Sequence, residues 1–537
     1  MEHQTLFGKE AKQKLKEGVD LVANAVAPTL GAKGRNVMCI REGMLPVITK
    51  DGVSIAKEID SADIFVSAGA SAIKQVATQT GESVSDGTTT SSVLAQAILT
   101  RAHEEDDRVN TISLKRGIDK ATEAVVEELK KYSVKSSSLK TLRNIANIST
   151  NGDAEITKLV VEAITKVGKI GSIKIEETEE VKSSVVVEKG YEIDSPYLDY
   201  RFITNPEKLT AELENCYVLV YEGHLVEEEE LNTTLDLLSY ENGANKNLYP
   251  LLIICDNIST TVQNKILAWR LAGVPIMNVK SPSFGTRRTE ALQDIVSIVG
   301  GKVYTSESED KLTQVDVEGL GKISKVISDS NKTILVGGEA SEETKKNRIE
   351  IVSKQVKSIS GGKKEKDYAK ERLSKLTSGI AVINVGGMSQ TERREKTDRV
   401  DDALAALRAC LEEGYLAGGG STYLKIAEKL KQKDFKVKND DEQKGVNILL
   451  EAIAAPFRQI LKNAGIEYAE YEKMVRESEY GIGFNVVSEK IANLLEDGVI
   501  DPTKVSRMAL QNAASIAGTF LTTEVMNFNS TGLFTKQ

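Results

Sequence analysis

Three consecutive threonines, Thr88, Thr89 and Thr90, follow Asp86-Gly87 in the stretch GESVSDGTTTSSVLAQAILT, residues 81–100. Threonine is an indifferent helix former, so a helix-like apolar run that opens on three of them needs another reason. The free N–H groups and partial positive charge of a helix N-terminus attract anions. Gly87 lets the backbone approach a ligand closely. The hydroxyls add donors, and Asp86 is placed to hold Mg2+ beside a polyphosphate. Such a cradle would work without the lysine of a P-loop. The plainer alternative is an Asx turn capping an ordinary helix.

Two further turns have a similar character. TLGAKGRN, residues 29–36, brings Gly31 together with the positive charges of Lys33 and Arg35; an ordinary helix-to-strand loop would read the same way. LAGGGST, residues 416–422, sets three glycines between helical runs. They are costly inside a helix but suit a flat ligand, such as a purine or ribose, lying on the backbone, or equally a helix C-cap and turn. Two acidic sites complete the set. Asp51 follows a strand in ITKDGVSIA, and Asp401 and Asp402 open the helical run TDRVDDALAALRACLEEG. Carboxylates in a first helical turn mostly complement the dipole. One that swings over a nucleotide can instead orient an attacking water.

The totals narrow the chemistry. The chain has 537 residues, too many for one core, so two to four domains are expected. A hydrophobic share of 40% and a charged share of 28% read as soluble and globular. A net charge of −9 argues against nucleic-acid binding. No apolar run approaches the roughly 20 residues of a membrane span. The opening MEHQTLFGKEAKQKLKEG lacks a signal core and an Arg-rich transit pattern, so a cytoplasmic chain is expected. Cys39, Cys216, Cys255 and Cys410 form no C-x-x-C pair, and His3, His103 and His224 are the only histidines. Zinc is thereby disfavoured, reduced and part-buried thiols are expected, and any catalysis falls to carboxylates.

These residues need elements to hold them. Leu15, Val19, Val22 and Val26 predict an amphipathic helix over 9–27. NVMCI and PVITKDG read as short strands of a hairpin, and 66–80, 90–103 and 113–131 as helices. Ser-rich SVKSSSLKT near residue 133 reads as a joint. Alternation over 171–190 predicts strands. The continuous apolar runs CYVLVYEG, LYPLLIICD and VPIMNVKSP predict buried parallel strands. Residues 339–378 read as charged helices, SGIAVINVGG as a strand, and 389–534 as almost wholly helical. A helical, mixed, α/β, mixed, helical order suggests that the middle is inserted into an outer helical domain.

Taken together, the motifs resemble the group I chaperonins, the GroEL-type family of ring-forming ATPases, over nearly the whole chain. TLGAKGRNV is similar to the family's TLGPKGRNV, and SDGTTTSSVLAQAI to its GDGTTT-T-VLAQAI. ITKDGVSIAKEI, VKSPSFGTRRTEALQDI, RVDDALAALRACLEEGYLAGGG and DPTKVSRMALQNAASIAGTFLTTE follow in the family's order. The resemblance implies an α+β multidomain chain: an all-helical equatorial ATPase domain with a small β hairpin (1–132 and 413–537), a small α/β intermediate hinge domain (133–188 and 380–412), and an α/β apical client-binding domain (189–379).

It also implies residue roles. Asp402 would position the attacking water, with Asp51 assisting. Asp86 would hold Mg2+. Gly87, Thr88, Thr89 and Thr90 would hold the phosphates of ATP, and Thr29, Leu30 and Gly31 would line the same pocket. Gly418 and Gly419 would pack against base and ribose, and Asn485 and Asp501 would contact them. K+ would sit near the carbonyls of Thr29 and Lys50. Non-native polypeptides would bind an exposed apolar face made by Tyr197, Phe202, Leu231, Leu235, Leu238, Val262, Ile266 and Leu267. The partners implied are further copies of the chain in a ring of seven and a co-chaperonin lid, with no nucleic acid and no membrane. A holdase with little dependence on hydrolysis and a small-molecule phosphotransferase are the competing readings.

The departures from the family pattern are Ala32 for Pro, Ser85 for Gly, Arg201 where an aromatic is usual, the acidic run Glu227 to Glu230, and NSTGLFTKQ where the family carries a Gly-Gly-Met tail. They mark a divergent copy, for which an organellar or a viral origin, the latter acting in the host cytoplasm, both fit.

Overall fold

The computed structural model describes every residue except 1–2, 41–45, 85, 106–107, 136–137, 151, 169–170, 189, 207, 243–244, 306–311, 359–362 and 530–537. The chain divides into two compact units, residues 1–161 with 395–537, and residues 162–394. Both boundaries fall inside helices, Ala154–Val167 and Gln390–Glu413.

The first unit is built on helices. Gly8–Val26 buries Leu15, Val19, Val22 and Val26, the apolar stripe of the sequence, and Thr111–Tyr132 buries Leu114, Ile118, Val125 and Leu129. With Ile64–Val84, Thr88–His103, Asp440–Ala452 and Thr503–Leu521 they enclose one core of Val, Leu, Ile and Ala side chains. Glycines set how closely these helices approach. A Cβ on Gly18 would lie 2.0 Å from the Val66 carbonyl oxygen, and one on Gly117 1.9 Å from that of Glu442. Helix propensity alone says that Gly117→Ala gains about 1 kcal/mol. The contact reverses the sign, and a loss of about 1–3 kcal/mol from overpacking is expected. A thermal melt reads the direction, and a raised midpoint would show that the close approach is not what selects glycine.

Among the described residues four antiparallel ribbons complete this unit, where one hairpin was expected. His3–Phe7 pairs with Val525–Asn529, Val37–Cys39 with Val47–Thr49, Tyr415–Ala417 with Ile500–Pro502, and Ile482–Asn485 with Lys490–Asn493. Residues 389–534, expected to be almost wholly helical, are mostly so, and short strands of three of these ribbons interrupt them. Strands of three to five residues are too short to show a period of two, and two of the ribbons, 3–7 with 525–529 and 415–417 with 500–502, pair segments far apart in the chain. The joint expected near 133 leads into a helix, Leu139–Ser149, capped by the Ser138 side chain.

The second unit carries a seven-stranded mixed sheet. Its order is Ile276–Lys280, Leu251–Ile258, Ala211–Leu225, Gly321–Ser328, Thr333–Val336, Gly190–Ile193, with Val303–Thr305 also on Ala211–Leu225. The three apolar runs are parallel neighbours, as their continuous hydrophobicity required. A three-stranded sheet places Ile380–Val385 between Ser172–Glu177 and Ser184–Glu188. The charged stretch forms helices Glu342–Ser358 and Lys363–Ser378. They are fastened to the Thr286–Val299 helix by a buried charge network. Fully buried Asp294 accepts from Arg372 Nε and Nη2 at 2.6 and 2.9 Å and from Arg348 Nε at 2.6 Å. Burial by itself would lower the Arg372 pKa, but the bonds to Asp294 overcome it and hold the guanidinium charged.

Among the described residues no helix is long and apolar enough to cross a membrane, and the cysteines form no disulfide. Burial pushes the thiols of Cys216 and Cys255 up to about 12 and that of Cys410 to about 11, so they behave as small core hydrophobes.

Candidate active site

All the candidate ATP-site positions fall in the first unit. Gly87 adopts the left-handed conformation, φ +75°, and stands as the N-cap of Thr88–His103 without a side-chain cap. The first-turn N–H groups therefore stay open toward an anion. A Cβ at Gly87 would lie 2.7 Å from Val505 Cγ1, so space as well as conformation selects glycine. Thr88 and Thr89 are buried, and the Ser91 and Ser92 hydroxyls donate back to the Thr88 carbonyl. Ser85, the departure from the family pattern, lies outside the described residues.

The 29–36 turn meets this helix. The Thr29 and Thr89 hydroxyls are 3.0 Å apart, and Thr29 Oγ1 donates to the Val26 carbonyl. Asn463 Nδ2 donates to the carbonyls of Ala27 and Leu30, both at 2.9 Å, which fixes the turn from outside. Sequence reasoning did not single out Asn463, and no local signal marks it. Gly31 has φ +85° and faces Ile460. Ala32 follows it in the same turn, and Lys33 forms an ion pair with Glu489 on the turn of the 482–493 ribbon. Asp51 caps Gly52–Glu58, accepting from the backbone N–H of Val53 and Ser54. Behind it, a Cβ on Gly52 would lie 2.7 Å from the Thr88 hydroxyl and 2.8 Å from that of Thr89. Lys50 links the Val47–Thr49 strand to this cap.

On the other side, Gly419 and Gly420 take φ +62° and +73° and open the Ser421–Leu430 helix. A Cβ on Gly418 would lie 3.0 Å from Asp501 Oδ1. Gly418 and Gly419 thus bring bare backbone beside a carboxylate, as a ribose or base would require. Asn485 has another task. Its Nδ2 donates to Asp497, and its Oδ1 accepts from the backbone N–H of Val487 and Ser488. The amide expected to contact base or ribose is thus engaged by its own ribbon turn here.

The carboxylates converge. Asp402, on the Gln390–Glu413 helix, has its pKa pushed up to about 8, by desolvation and then by repulsion from Asp86, Asp51, Asp401 and Asp398. The side chain is solvent-exposed, so desolvation weighs less here than the repulsion among these acids. Asp501 is raised to about 6, by burial and then by Asp86. Asp86, whose Oδ1 accepts from the Gly87 N–H at 2.5 Å, is raised by burial. Acids that repel one another beside an uncapped helix N-terminus suit a divalent cation carrying phosphates. Among the described residues no three acidic, Cys or His side chains stand close enough to hold a metal by themselves. A Mg2+ ion here would take Asp86 and rely on phosphate and water oxygens, the usual habit of that ion.

The apolar face expected in the second unit is corrected. Phe202, Leu231, Leu238, Val262, Ile266 and Leu267 are at most 2% exposed and belong to the core, with Tyr197 and Leu235 packed against it. An i, i+4, i+5 stripe marks the buried side of a helix, and here that side covers the sheet. Large apolar side chains open to solvent on the same loop and helices are Leu198, Tyr200, Leu237 and Leu271. Arg201 is held by Asp199 through bonds of 2.8 and 2.7 Å. In the acidic run, Glu227 and Glu230 form a capping box.

A family model described as the TCP-1/cpn60 chaperonin family matches residues 22–247 and 251–527. Among solved structures, the chain is similar to the chaperonin gp146 from the bacteriophage EL 2 (Pseudomonas aeruginosa), crystallised in the presence of ATP-BeFx. One crystal form aligns with a TM-score of 0.73 at 23% identity, covering 98% of this chain and 99% of that one. The other gives 0.65 at 22% identity over the same shares.

Proposed function

The chain belongs to the TCP-1/cpn60 chaperonin family, and on that premise we propose that it is an ATP-driven folding machine whose hydrolysis is switched on by Asp402. The convergence of Asp402 with Asp86 and Asp51 carries this reading. The open N-terminus of Thr88–His103 and the hydroxyls of Thr88, Thr89 and Thr90 bind the phosphates. Thr29, Leu30 and Gly31 close one side, and Gly418, Gly419 and Asp501 receive ribose and base. Asp86 holds Mg2+, which when bound draws charge from the phosphate oxygens. Carbonyls of Thr29 and Lys50 take K+. Asp402 accepts the proton of the attacking water, and Asp51 keeps the cap of its helix against the Thr88 and Thr89 hydroxyls.

A general base contributes typically about 10²–10⁴-fold. The base here arrives on a helix that begins in one unit and ends in the other, so hydrolysis follows from domain position. In this reading the intermediate domain, 133–188 with 380–412, is the hinge between an equatorial domain (1–132, 413–537) and an apical one (189–379).

In this reading copies of the chain assemble into a ring of seven, and open-edged ribbons in the first unit support self-association. Met38 and Ile40 are 57% and 75% exposed, and Val47, Ile48, Phe7 and Val525 are open as well. Exposed apolar strand edges attract a neighbouring chain. Clients bind through Leu198, Tyr200, Leu237 and Leu271, since burial of apolar surface drives capture of non-native chains. A co-chaperonin lid would compete for the same surfaces.

The test is refolding of a chemically denatured client with ATP, with ADP and without nucleotide. Recovery that needs ATP is expected. Equal recovery in all three would leave a holdase. Transfer of phosphate to a small acceptor instead of release as inorganic phosphate would point to a phosphotransferase.

A further inference from the structure

A cleft of about 450 Å³ opens in the first unit between the start of Gly8–Val26, the end of Thr88–His103, the start of Thr111–Tyr132 and the end of Thr503–Leu521. Its volume falls in the range of small-molecule sites. It shares no residue with the ATP site. The Thr88–His103 helix has the phosphate-binding turn at one end and the cleft at the other, about 24 Å apart at 1.5 Å per residue.

The floor is apolar and part-open: Leu99, Val109, Phe520 and Leu521 pack on the helical core while keeping surface toward the cleft. The charges around it are unequally engaged. Glu104 is paired with Arg101 and Glu105 with Lys444, cations that do not line the cleft. Lys12 and Lys16 are held by Glu524 and Asp20. Lys9 and His103 have no polar partner among the described residues, and both are exposed at the rim. Glu104 and Glu105 are thus neutralised from outside, while an ammonium and an imidazole are left facing an oily floor.

We propose that this cleft binds an amphipathic carboxylate, its head group taken by Lys9 and His103 and its hydrocarbon laid on Leu99, Val109, Phe520 and Leu521. A charge-assisted bond fixes the head, and apolar burial supplies the remaining affinity. A neutral molecule of the same length gains only the second contribution.

Decanoate is the probe, titrated by calorimetry into the assembled full-length protein, with decanol as the uncharged control. Saturable binding of decanoate is expected, at least about tenfold tighter than decanol, a factor equal to about 1.4 kcal/mol. Lys9→Glu combined with His103→Glu is expected to remove that preference while leaving ATP hydrolysis and the melting temperature unchanged. Phe520→Ser is expected to weaken both ligands. Three results overturn the proposal: no binding to the assembled protein, as when a second copy covers the cleft; equal affinity for decanoate and decanol; or binding that the double variant does not alter, as when the exposed apolar side chains of the other unit take up the probe.

Discussion

Asp402→Asn is expected to lower steady-state ATP hydrolysis by about 10²–10⁴-fold, the usual contribution of a general base, with nucleotide affinity changed only a few-fold. Asn keeps the size of the side chain and removes its capacity to take a proton. Phosphate release and nucleotide binding, measured on the same preparation, separate the two effects. A variant that hydrolyses ATP normally would remove Asp402 from the mechanism, and one that no longer binds nucleotide would assign it a binding role.

The same substitution has a signature in stability. In the nucleotide-free protein the folded-state pKa of Asp402 is about 8, above the unfolded value of about 3.9. The folded chain therefore holds this proton when the unfolded chain has released it. Stability is full below the unfolded value and falls as pH rises from about 4 to about 8. Asp501, raised to about 6, acts in the same direction over the lower part of that window. Asp402→Asn removes its own share of this penalty. Its stability relative to wild type is expected to increase between about pH 5 and about pH 8.5 in denaturant melts without nucleotide. A difference that stays constant with pH would mean that neither desolvation nor the neighbouring carboxylates raise Asp402 in the folded protein.

Asp294→Ala is expected to cost the second unit about 3–5 kcal/mol, the range for removing one partner of a buried ion pair. Asp294 is fully buried and neutralises Arg372, itself nearly buried, and Arg348. Without it, two guanidinium groups remain in the interior. Glu290 offers only partial compensation, through Oε2 to Arg372 at 2.8 Å and its carbonyl to Arg348. Hydrogen exchange resolves the effect locally, as faster exchange in the helices Thr286–Val299 and Glu342–Ser358. Asp294→Leu combined with Arg348→Met and Arg372→Met is expected to recover much of the loss, because apolar replacement of a whole buried network is often tolerated. Exchange unchanged by Asp294→Ala would show that the network does not fasten these helices.

Much of this protein is written in local patterns. The stripe from Leu15 to Val26 determines an amphipathic helix, and the continuous runs around Val218, Ile253 and Val279 determine parallel strands, because both follow from the geometry of a few neighbouring residues. The hydroxyl run after Gly87 is legible for the same reason: a helix start and its donors lie within six positions. What the tertiary structure decided depends on contacts that no local pattern contains. Asp402 feels the charges of Asp86 and Asp51 only because segments far apart in the chain fold together. Asn485 resembles a ligand contact until its own ribbon closes on the amide. The short strands of the first unit exist only as pairs. The stripe of Val262, Ile266 and Leu267 is apolar whether it faces a client or a sheet, and a period gives the existence of a face without its partner. Packing against the sheet turned that stripe inward and left Leu271, on the same helix, to meet the solvent.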